Sequence, residues 1–563
     1  MTLSDLQKKL KKAKFDAFLV SRDNVFIGQD IRDDENLIRH LTGFSGSAGV
    51  LLILPEKSFL FVDGRYELQA PQQVDRAQVE VVCTNKISLA DWLKENLAGQ
   101  KIGYNPWCWS IRDILRFDGV EMRADSEFLP FLLSGQKAKL YEYEKEYCGV
   151  AREEKVAKMA KFIQEKRLQA YFISAADSVS WLLNLRSDAL PETPVFRAVA
   201  LVDARCHVWI FTDNVDMKGI GAKLNIFPLS EIPARLKKFK KQVVGCDFGT
   251  TATAVMEAAE NHNVKLVPVE DFCQEQKATK NECELRGIRN AHVRDGVAVC
   301  QFLFWLKDHW QGKTELDVVK KLHEFRAAQD FFVSESFATI AASGPHGAIV
   351  HYAPTAKTNR VLDDNSLLLL DSGGQYYDGT TDITRTIALG TVSPAMSEDF
   401  TLVLKAHIAL SSAVFPKKTS GARLDALARQ VLWREGKNYN HGTGHGVGCF
   451  LNVHEGPQYI SAACREPFVC GQVTSIEPGY YLENNYGVRI ENLAEVVDSS
   501  YQDFLMFSPL TLVPIDKNAI NKYLLSEEEI KWLDDYHQKV FEKISPFLNS
   551  AEKELLSEAC APL

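Results

Sequence analysis

The stretch DSGGQYYDGTTD, residues 371–382, decides how the C-terminal half of this chain folds. It follows the apolar run Leu367–Leu370, which predicts a buried strand that ends on the carboxylate of Asp371. The glycines of the stretch allow a turn, and a tight hairpin centred on Tyr376-Tyr377 would place Asp371 opposite Asp382. A buried carboxylate is costly unless it has a partner, so the rest of the chain must compensate both charges.

A second pair of carboxylates lies in SIEPGYYLENNYGVRIEN, residues 475–492. Glu477 ends one apolar strand and Glu491 lies on another, and the turn-rich segment around Asn484 is midway between them. A hairpin there would pair Glu477 with Glu491 across the two strands. The four carboxylates together need more positive charge than Arg385, the basic residue nearest to the first pair, can supply.

Four histidines lie in segments that are held open or extended. The motif HGTGHGVG, residues 441–448, contains His441 and His445, and its glycines disfavour a helix. Such a segment is extended and lets the backbone approach a ligand or a metal. His351 and His454 lie in VHYAP and VHEGP, where a following proline keeps the chain extended or turned.

These residue types together indicate a metal site. A single aspartate or histidine in a turn is usually a cap or a local hydrogen bonder, and we interpret Asp378 and Glu483 in that way. Carboxylates that end or follow apolar strands are different, because leaving them unpaired is costly. Two divalent ions would balance four carboxylates, and oxygen ligands with one imidazole favour Mn²⁺, Co²⁺, Fe²⁺ or Zn²⁺. Two metals about 3.5 Å apart can share a hydroxide, so the predicted chemistry is metal-assisted hydrolysis.

The composition is that of a soluble globular protein, with 46% apolar and 25% charged residues, and 563 residues allow roughly two to four domains. The net charge of −9 argues against nucleic acid as a partner. The basic cluster Lys8–Lys14 has leucines at helical spacing, which favours an amphipathic surface helix over a membrane or RNA patch. We expect no signal peptide and no membrane partner. The twelve cysteines include no CxxC pair, which indicates reduced thiols and a cytoplasmic location.

The chain divides into three predicted parts, 1–133, 134–277 and 278–563. The first two share a rhythm of short strands and helices, which predicts a duplicated α/β module, although the second part starts with a charged helical stretch over 141–166. The predicted strands of these two parts are 16–20, 49–54, 58–65, 169–173, 195–202 and 207–213.

In the third part, Asn281 with Glu284 predicts the start of a helix that runs toward His309. Ser526 with Glu529 predicts a second capped helix, which should stop at Pro546. We expect no core role for the tail beyond that proline.

The motifs DSGGQYYDGTTDITRT, HGTGHGVG, EPGYY and GVRIEN, in this order, resemble those of the metallopeptidases with the pita-bread fold. That family includes methionine aminopeptidase, prolidase and Xaa-Pro aminopeptidase. The length of the chain, its two N-terminal modules and the segments GFSGSAG, VDGRY and LTLVPID make it most similar to the cytosolic, three-domain Xaa-Pro aminopeptidases (aminopeptidase P). The resemblance implies an α/β (α+β) protein with two N-terminal α/β modules and a C-terminal pita-bread catalytic domain.

The resemblance also implies roles for site residues. Two divalent ions, manganese first and Co²⁺ or Zn²⁺ as alternatives, are expected on Asp371, Asp382, His445, Glu477 and Glu491. His351, His441 and His454 are expected to contact substrate, and His351, His454 and Glu477 to act in catalysis. Arg489 is expected to orient the carboxylates.

The implied reaction is release of the first residue from peptides with proline in second position, by attack of a metal-bridging hydroxide on the Xaa-Pro bond. A homodimer is implied by the resemblance alone. Three alternatives stay open: a prolidase that acts on Xaa-Pro dipeptides, a metal-free pita-bread binding module, and a creatinase-like hydrolase that needs no metal. The complete set of five ligands argues against the last two.

Overall fold

The computed structural model describes every residue of the chain except Gly219 and Ala222, and the chain separates into two compact units. The first unit comprises Met1–Lys145, Val150–Leu190 and Pro194–Gln274, and the second comprises Glu146–Gly149, Pro191–Thr193 and Glu275–Leu563. Among the helices of the described residues, we find none that is both long and apolar enough to cross a membrane.

The strands of the first unit are β1 (Ala17–Ser21), β2 (Val50–Ile53), β3 (Ser58–Val62), β4 (Val79–Cys83), β5 (Lys101–Tyr104), β6 (Glu121–Ala124), β7 (Ala138–Glu142), β8 (Ala170–Ile173), β9 (Leu185–Ser187), β10 (Val199–Asp203), β11 (Val208–Phe211), β12 (Val215–Asp216), β13 (Ile226–Phe227), β14 (Val243–Cys246) and β15 (Lys265–Pro268). They form two six-stranded sheets, β4-β3-β2-β1-β5-β6 and β13-β11-β10-β8-β14-β15, and a small sheet β12-β7-β9.

The two large sheets have the same topology. In each, the first strand pairs antiparallel with the second and parallel with the fifth, as β1 does with β2 and β5, and as β8 does with β10 and β14. The outer pairs β3–β4 and β11–β13 are both parallel. The predicted duplication of an α/β module is therefore confirmed, and all six predicted strands are present with shifted ends.

The helices of the N-terminal part of the chain are α1 (Leu3–Leu10), α2 (Leu37–Thr42), α3 (Ala70–Gln73), α4 (Leu89–Asn96), α5 (Ile111–Leu115), α6 (Lys145–Cys148), α7 (Arg152–Glu165), α8 (Ala176–Leu183), α9 (Ile232–Leu236), α10 (Thr253–Asn261) and α11 (Phe272–Ala278). The helix predicted over 141–166 is wrong at its start, because Tyr141 and Glu142 belong to β7 and pair with β9. The long helix of that stretch begins only at Arg152.

The helices of the second unit are α12 (Glu282–His309), α13 (Glu315–Ala327), α14 (Pro394–Ser411), α15 (Gly421–Trp433), α16 (Glu527–Ile544) and α17 (Ser550–Cys560). Its strands are β16 (Phe332–Glu335), β17 (Ile340–Ser343), β18 (Ser366–Ser372), β19 (Gly374–Tyr376), β20 (Gly379–Thr380), β21 (Ile383–Leu389), β22 (Val414–Pro416), β23 (Gly444–Gly446), β24 (Glu455–Ile460), β25 (Val473–Ile476), β26 (Gly479–Leu482), β27 (Tyr486–Arg489), β28 (Asn492–Asp498) and β29 (Phe504–Pro509).

Two sheets carry the candidate site: β17-β18-β21 and β22-β29-β28-β25-β23-β24. Smaller sheets are β16-β19-β20 and β26-β27. Short 3₁₀ helices complete the chain at Asp33–Glu35, Gly64–Tyr66, Leu229–Glu231, Lys237–Phe239, Gly344–Ala348, Lys517–Ala519, Lys522–Leu524 and Ser545–Phe547.

Both predicted helix starts of the third part are confirmed. The side chains of Asn281 and Ser526 cap α12 and α16, each in a reciprocal capping box with a glutamate three residues later. The tail beyond Pro546 was expected to lack a core role, which is wrong. It forms α17, whose Leu556 and Cys560 are buried in the main core of the unit because this short helix is amphipathic.

The capping box of α16 leads to a stability prediction. Substitution Ser526→Ala removes the acceptor for the Glu529 backbone N–H, so we expect the protein to lose about 1 kcal/mol of unfolding free energy. Urea unfolding followed by circular dichroism measures the change. The same substitution at Ser557, which is exposed inside α17, should leave stability within about 0.5 kcal/mol. Equal losses in the two variants would contradict the capping role.

Candidate metal centre

The first two carboxylates lie on the hairpin of β18 and β21. Asp371 pairs with Thr384, and Asp382 directly precedes β21, so the predicted pairing of the two aspartates is wrong by two residues. The ladder continues through β19 and β20 to a two-residue turn at Tyr377-Asp378. The two aspartates are diagonal neighbours on the same face, so the shift still brings their carboxylates together.

The turn is displaced because α12 holds the residues around it. Tyr376 stays in the strand, where its buried hydroxyl donates to Asp295 of α12 at 3.0 Å. Asp378 occupies the turn and forms an ion pair with Arg294 of the same helix. Asp295 and Arg294 are remote in sequence from the stretch, so the stretch alone does not predict how they shift the turn.

The second pair of carboxylates lies on a hairpin whose register is the predicted one. Ile476 of β25 pairs with Asn492 of β28, and Gly479 of β26 pairs with Arg489 of β27. Glu477 and Glu491 are therefore opposite each other in the break between these two ladders. Two hydrogen bonds join this hairpin to the first one: the Glu491 N–H donates to the Thr384 carbonyl at 3.1 Å, and the Thr384 hydroxyl donates to Glu491 Oε2 at 2.9 Å.

His445 reaches the carboxylates from β23. The strand lies tightly against β25, since a Cβ at Gly444 would be 2.0 Å from the Ser475 carbonyl oxygen. His445 Nδ1 is 3.0 Å from the Gly446 carbonyl, to which it donates, so Nε2 keeps its lone pair. That Nε2 is 3.5 Å from Asp382 Oδ2 and 3.5 Å from Glu477 Oε1.

The cluster has the residue composition of a metal site, and two of its carboxylate oxygens lack hydrogen-bond partners among the described residues. Asp382, His445 and Glu491 each offer a ligand atom, and these atoms lie within 4.8 Å of one another. Asp371 accepts one hydrogen bond from Arg489 at 2.7 Å. Oδ1 of Asp371 and Oδ1 of Asp382 are buried and have no hydrogen-bond partner among the described residues. Orphaned carboxylate oxygens of this kind fit bound cations, because leaving them unpaired is costly.

The electrostatics of the cluster are those of a site that lacks positive charge. Burial, followed by the charges of neighbouring carboxylates, raises the pKa of Asp382 and of Glu491 well above ordinary values. Burial lowers the pKa of His445, which keeps its ring neutral and able to bind a metal. Burial alone would lower the pKa of Arg489, but Tyr481, Asp371 and Glu477 outweigh it and hold the guanidinium charged.

Tyr481 is a site residue that sequence reasoning missed. Arg489 Nη1 donates to the Tyr481 hydroxyl at 2.6 Å, while Nη2 of the same guanidinium holds Asp371. The hydroxyl also lies 2.8 Å from His441 Nε2, and His441 Nδ1 lies 2.7 Å from the Gly442 carbonyl. Since Nδ1 must donate to that carbonyl, Nε2 accepts from Tyr481. Tyr481, the second tyrosine of EPGYY, thus links His441 to the guanidinium that orients Asp371.

His454 lies beside His445, with their ring centroids 4.3 Å apart. The residue after it, Glu455, is fully buried and forms ion pairs with Lys277 at 2.9 Å and Lys280 at 2.7 Å. These two lysines precede α12 and also escaped sequence analysis, because nothing local connects them to VHEGP. Because both lysines hold Glu455, they also fix the backbone next to His454.

His351 is placed by its neighbours in the chain. Arg489 Nη2 lies 3.4 Å from the carbonyl oxygen of Val350, so the backbone of the VHYAP segment approaches the centre. The buried Glu315 accepts from His346 at 2.8 Å and from the Tyr352 hydroxyl at 2.7 Å, on either side of His351. The roles expected for the three histidines outside the ligand set stay predictions.

Four segments of the chain match models of known families. Residues 286–498 match the metallopeptidase family M24, and residues 503–563 match the C-terminal region of that family. Residues 3–131 and 134–284 each match the creatinase/prolidase N-terminal domain, in agreement with the repeated topology of the first unit.

Known relatives match nearly the whole chain. The chain is 34% identical to a probable Xaa-Pro aminopeptidase P of Neosartorya fischeri, with all of this chain and 92% of that protein covered. It is 35% identical to the probable Xaa-Pro aminopeptidase P of Sordaria macrospora, with 97% and 96% covered. The crystal structure of X-prolyl aminopeptidase from Caenorhabditis elegans, described as a cytosolic enzyme with a di-nuclear active site, matches both chains over their whole length with a TM-score of 0.93 and 31% identity.

Fold and site together define a metal-dependent peptidase, and the predicted fold class is confirmed. The prolidase of Pyrococcus horikoshii shares the fold at a TM-score of 0.53 and 22% identity, over 64% of this chain and 99% of its own. The chain belongs to the metallopeptidase family M24 and, within it, to the group of the Xaa-Pro aminopeptidases.

The raised carboxyl pKa values lead to a prediction for metal-free protein. The folded state holds protons on Asp382 and Glu491 that the unfolded state releases near pH 4, so stability falls as the pH rises above that value. We expect the melting temperature of metal-free protein to drop between pH 5.5 and pH 7.5, and Asp382→Asn to reduce this drop. Added Mn²⁺ should stabilise the wild type more at pH 7.5 than at pH 5.5, since ligands must be deprotonated. An unchanged pH dependence in the variant would contradict this assignment.

Proposed function

We propose that this protein is an aminopeptidase that uses two divalent metal ions to release the first residue of peptides whose second residue is proline. The observation that carries the proposal is the convergence of four carboxylates from two joined hairpins with one neutral imidazole from the neighbouring strand β23. The specificity for proline is supported by the full-length relatives, which are described as Xaa-Pro aminopeptidases.

The ligand set balances two dications. Asp371, Asp382, Glu477 and Glu491 carry four negative charges, and two divalent ions carry four positive ones. The set is all oxygen apart from His445, which favours manganese, with Co²⁺ or Zn²⁺ as alternatives. Bound there, the two ions supply Lewis-acid polarisation of the scissile carbonyl and a water made nucleophilic at neutral pH.

The protein side chains position the substrate and move the proton. Glu477 is the most exposed of the five ligands, with 18% of its side chain accessible, so it faces the space where substrate enters. In this proposal Glu477 carries a proton to the leaving proline nitrogen, which has no N–H of its own. His351 and His454 contact the scissile carbonyl oxygen, and His441, held by Tyr481, contacts the peptide.

The proposal extends to cellular context and organisation. A cytoplasmic location is supported by the cytosolic description of the Caenorhabditis elegans enzyme. A homodimer is supported by family resemblance alone. Domain limits near residues 133 and 277 are supported by the repeated sheets of the first unit and by the ranges of the family matches.

The proposal predicts cleavage of Arg-Pro-Pro. Metal-stripped protein should release free arginine and the dipeptide Pro-Pro only after Mn²⁺ is added, because the bound ions would activate the attacking water. Chromatography of the products measures the reaction, and the dipeptide Arg-Pro serves as a comparison substrate. Cleavage of Arg-Pro with Arg-Pro-Pro left intact would establish a prolidase instead. No cleavage and no bound Mn²⁺ would support a metal-free binding module.

Glu477→Gln should lower kcat by at least about a hundredfold, because it removes both a ligand charge and the proton carrier. The matched control is Glu483→Gln, at an exposed turn position of the same hairpin, which should keep wild-type kinetics. Steady-state rates on Arg-Pro-Pro and the Mn²⁺ content of both variants make the comparison. Near wild-type turnover by Glu477→Gln would refute the assignment of this residue.

A further inference from the structure

A layer of four buried polar side chains lies behind the second pair of carboxylates. Its members share almost complete burial, with 0–4% exposure, and come from four different elements: Arg385 of β21, His407 of α14, Asn492 of β28 and Tyr536 of α16. None of them belongs to the ligand set, and a core of this kind is usually apolar. We call this group the buried polar layer.

His407 connects the two strands at the positions next to the glutamates. Its Nδ1 lies 3.1 Å from the carbonyl of Ile476, the residue before Glu477, and its Nε2 lies 3.3 Å from Nδ2 of Asn492, the residue after Glu491. Nδ1 therefore carries the proton and donates, while Nε2 accepts. Burial lowers the pKa of His407 to about 3, so the ring keeps this neutral form at physiological pH.

Arg385 fixes the main chain of Glu491 itself. Its Nη1 donates to the Glu491 carbonyl at 2.7 Å, and its Nη2 donates to Asn492 Oδ1 at 2.9 Å. Its remaining partners are also neutral oxygens, the carbonyls of Thr384, Val513 and Pro514 and the hydroxyl of Tyr536. A guanidinium used in this way holds several backbone segments in one fixed geometry.

Tyr536 brings the C-terminal region into contact with the layer. Its hydroxyl accepts from Arg385 Nη2 at 2.9 Å and donates to the carbonyl of Val513 at 2.9 Å. Both Tyr536 and Val513 lie within residues 503–563, the segment that matches the C-terminal region of the family. A chain of hydrogen bonds thus runs from α16 through Arg385 and Asn492 to His407 and the backbone beside Glu477.

We propose that the buried polar layer is a positioning device for Glu477 and Glu491, and that the C-terminal region tunes metal affinity through Tyr536. Apolar packing would fill the same space, but it would not fix the two strands to within the tenths of an ångström that a two-metal site requires. Hydrogen-bonded partners of ligands have this effect in metalloproteins, where their loss typically weakens metal binding 10- to 100-fold. The inference rests on the two-metal site of the proposed function.

The test is Tyr536→Phe, which removes one hydroxyl and keeps the ring. Its matched control is Tyr486→Phe. Tyr486 is as buried as Tyr536 and lies on the hairpin that carries Glu477 and Glu491, but its hydroxyl donates to Asp399 at 2.7 Å, away from the ligands. Calorimetric titration of metal-stripped protein with Mn²⁺ alone gives the affinity, and urea unfolding gives the stability. We expect Tyr536→Phe to weaken Mn²⁺ binding about tenfold, and Tyr486→Phe to stay within about twofold of wild type at a similar loss of stability.

A second pair of variants separates positioning from folding. His407→Asn can keep a donor near the place of Nδ1, whereas His407→Leu removes it, so the Asn variant should retain more of the Mn²⁺ affinity.

Wild-type Mn²⁺ affinity in both Tyr536→Phe and His407→Leu, or equal losses in Tyr536→Phe and the Tyr486→Phe control, would overturn the inference. Wild type that binds Mn²⁺ without cleaving Arg-Pro-Pro would overturn the proposed activity and leave the positioning inference standing. Wild type that binds no Mn²⁺ would overturn both.

Discussion

The crowding of four carboxylates into one buried place is the constraint on which the rest of this structure depends. Two like charges 4 Å apart repel by about 4 kcal/mol at the effective dielectric of a protein surface, and more where water is excluded. Arg489 compensates one of these charges through Asp371, and the imidazole of His445 is neutral. The orphaned oxygens of Asp371 and Asp382 show that the protein side chains leave the remainder uncompensated. Cations complete the site.

The fold brings these charges together by joining two hairpins edge to edge. Thr384 is the link, because its carbonyl and its hydroxyl both bond to Glu491 while its own pairing partner is Asp371. The third contribution comes from β23, which lies close enough to β25 only because Gly444 has no side chain. Each ligand therefore lies on a paired strand or directly beside one, where the ladders hold it with less freedom than a loop would allow.

Sequence reasoning succeeded where the signal was local. Apolar runs that end on Asp371 and Glu477 predicted strand ends, and the turn-rich segment around Asn484 predicted the register that places Glu477 opposite Glu491. It failed where the deciding partner is remote in the chain. The first turn is displaced by contacts of Tyr376 and Asp378 with α12, and no pattern within the stretch carries that information.

The same distinction explains which site residues escaped prediction. Tyr481 is the last residue of the motif EPGYY, but its role depends on a guanidinium and an imidazole that reach it only in the folded hairpin. Lys277 and Lys280 compensate Glu455 from a segment about 175 residues earlier in the chain, and no local pattern connects the two places. The candidate metal ligands were visible in the sequence as carboxylates and a histidine in unusual places. Tyr481, Lys277 and Lys280, which hold other site residues in position, look like ordinary core and loop residues.

Stability and function are coupled through this arrangement. A metal-free centre with surplus negative charge opposes folding, so the elements that hold it must come from well-packed parts of the domain. Arg385, His407 and Tyr536 meet that need, since each belongs to a helix or a paired strand and all their polar atoms that face the layer are bonded. A ligand that binds only the folded state stabilises it by mass action. Metal binding therefore relieves a repulsion that the rest of the domain has to withstand, and it stabilises the folded state.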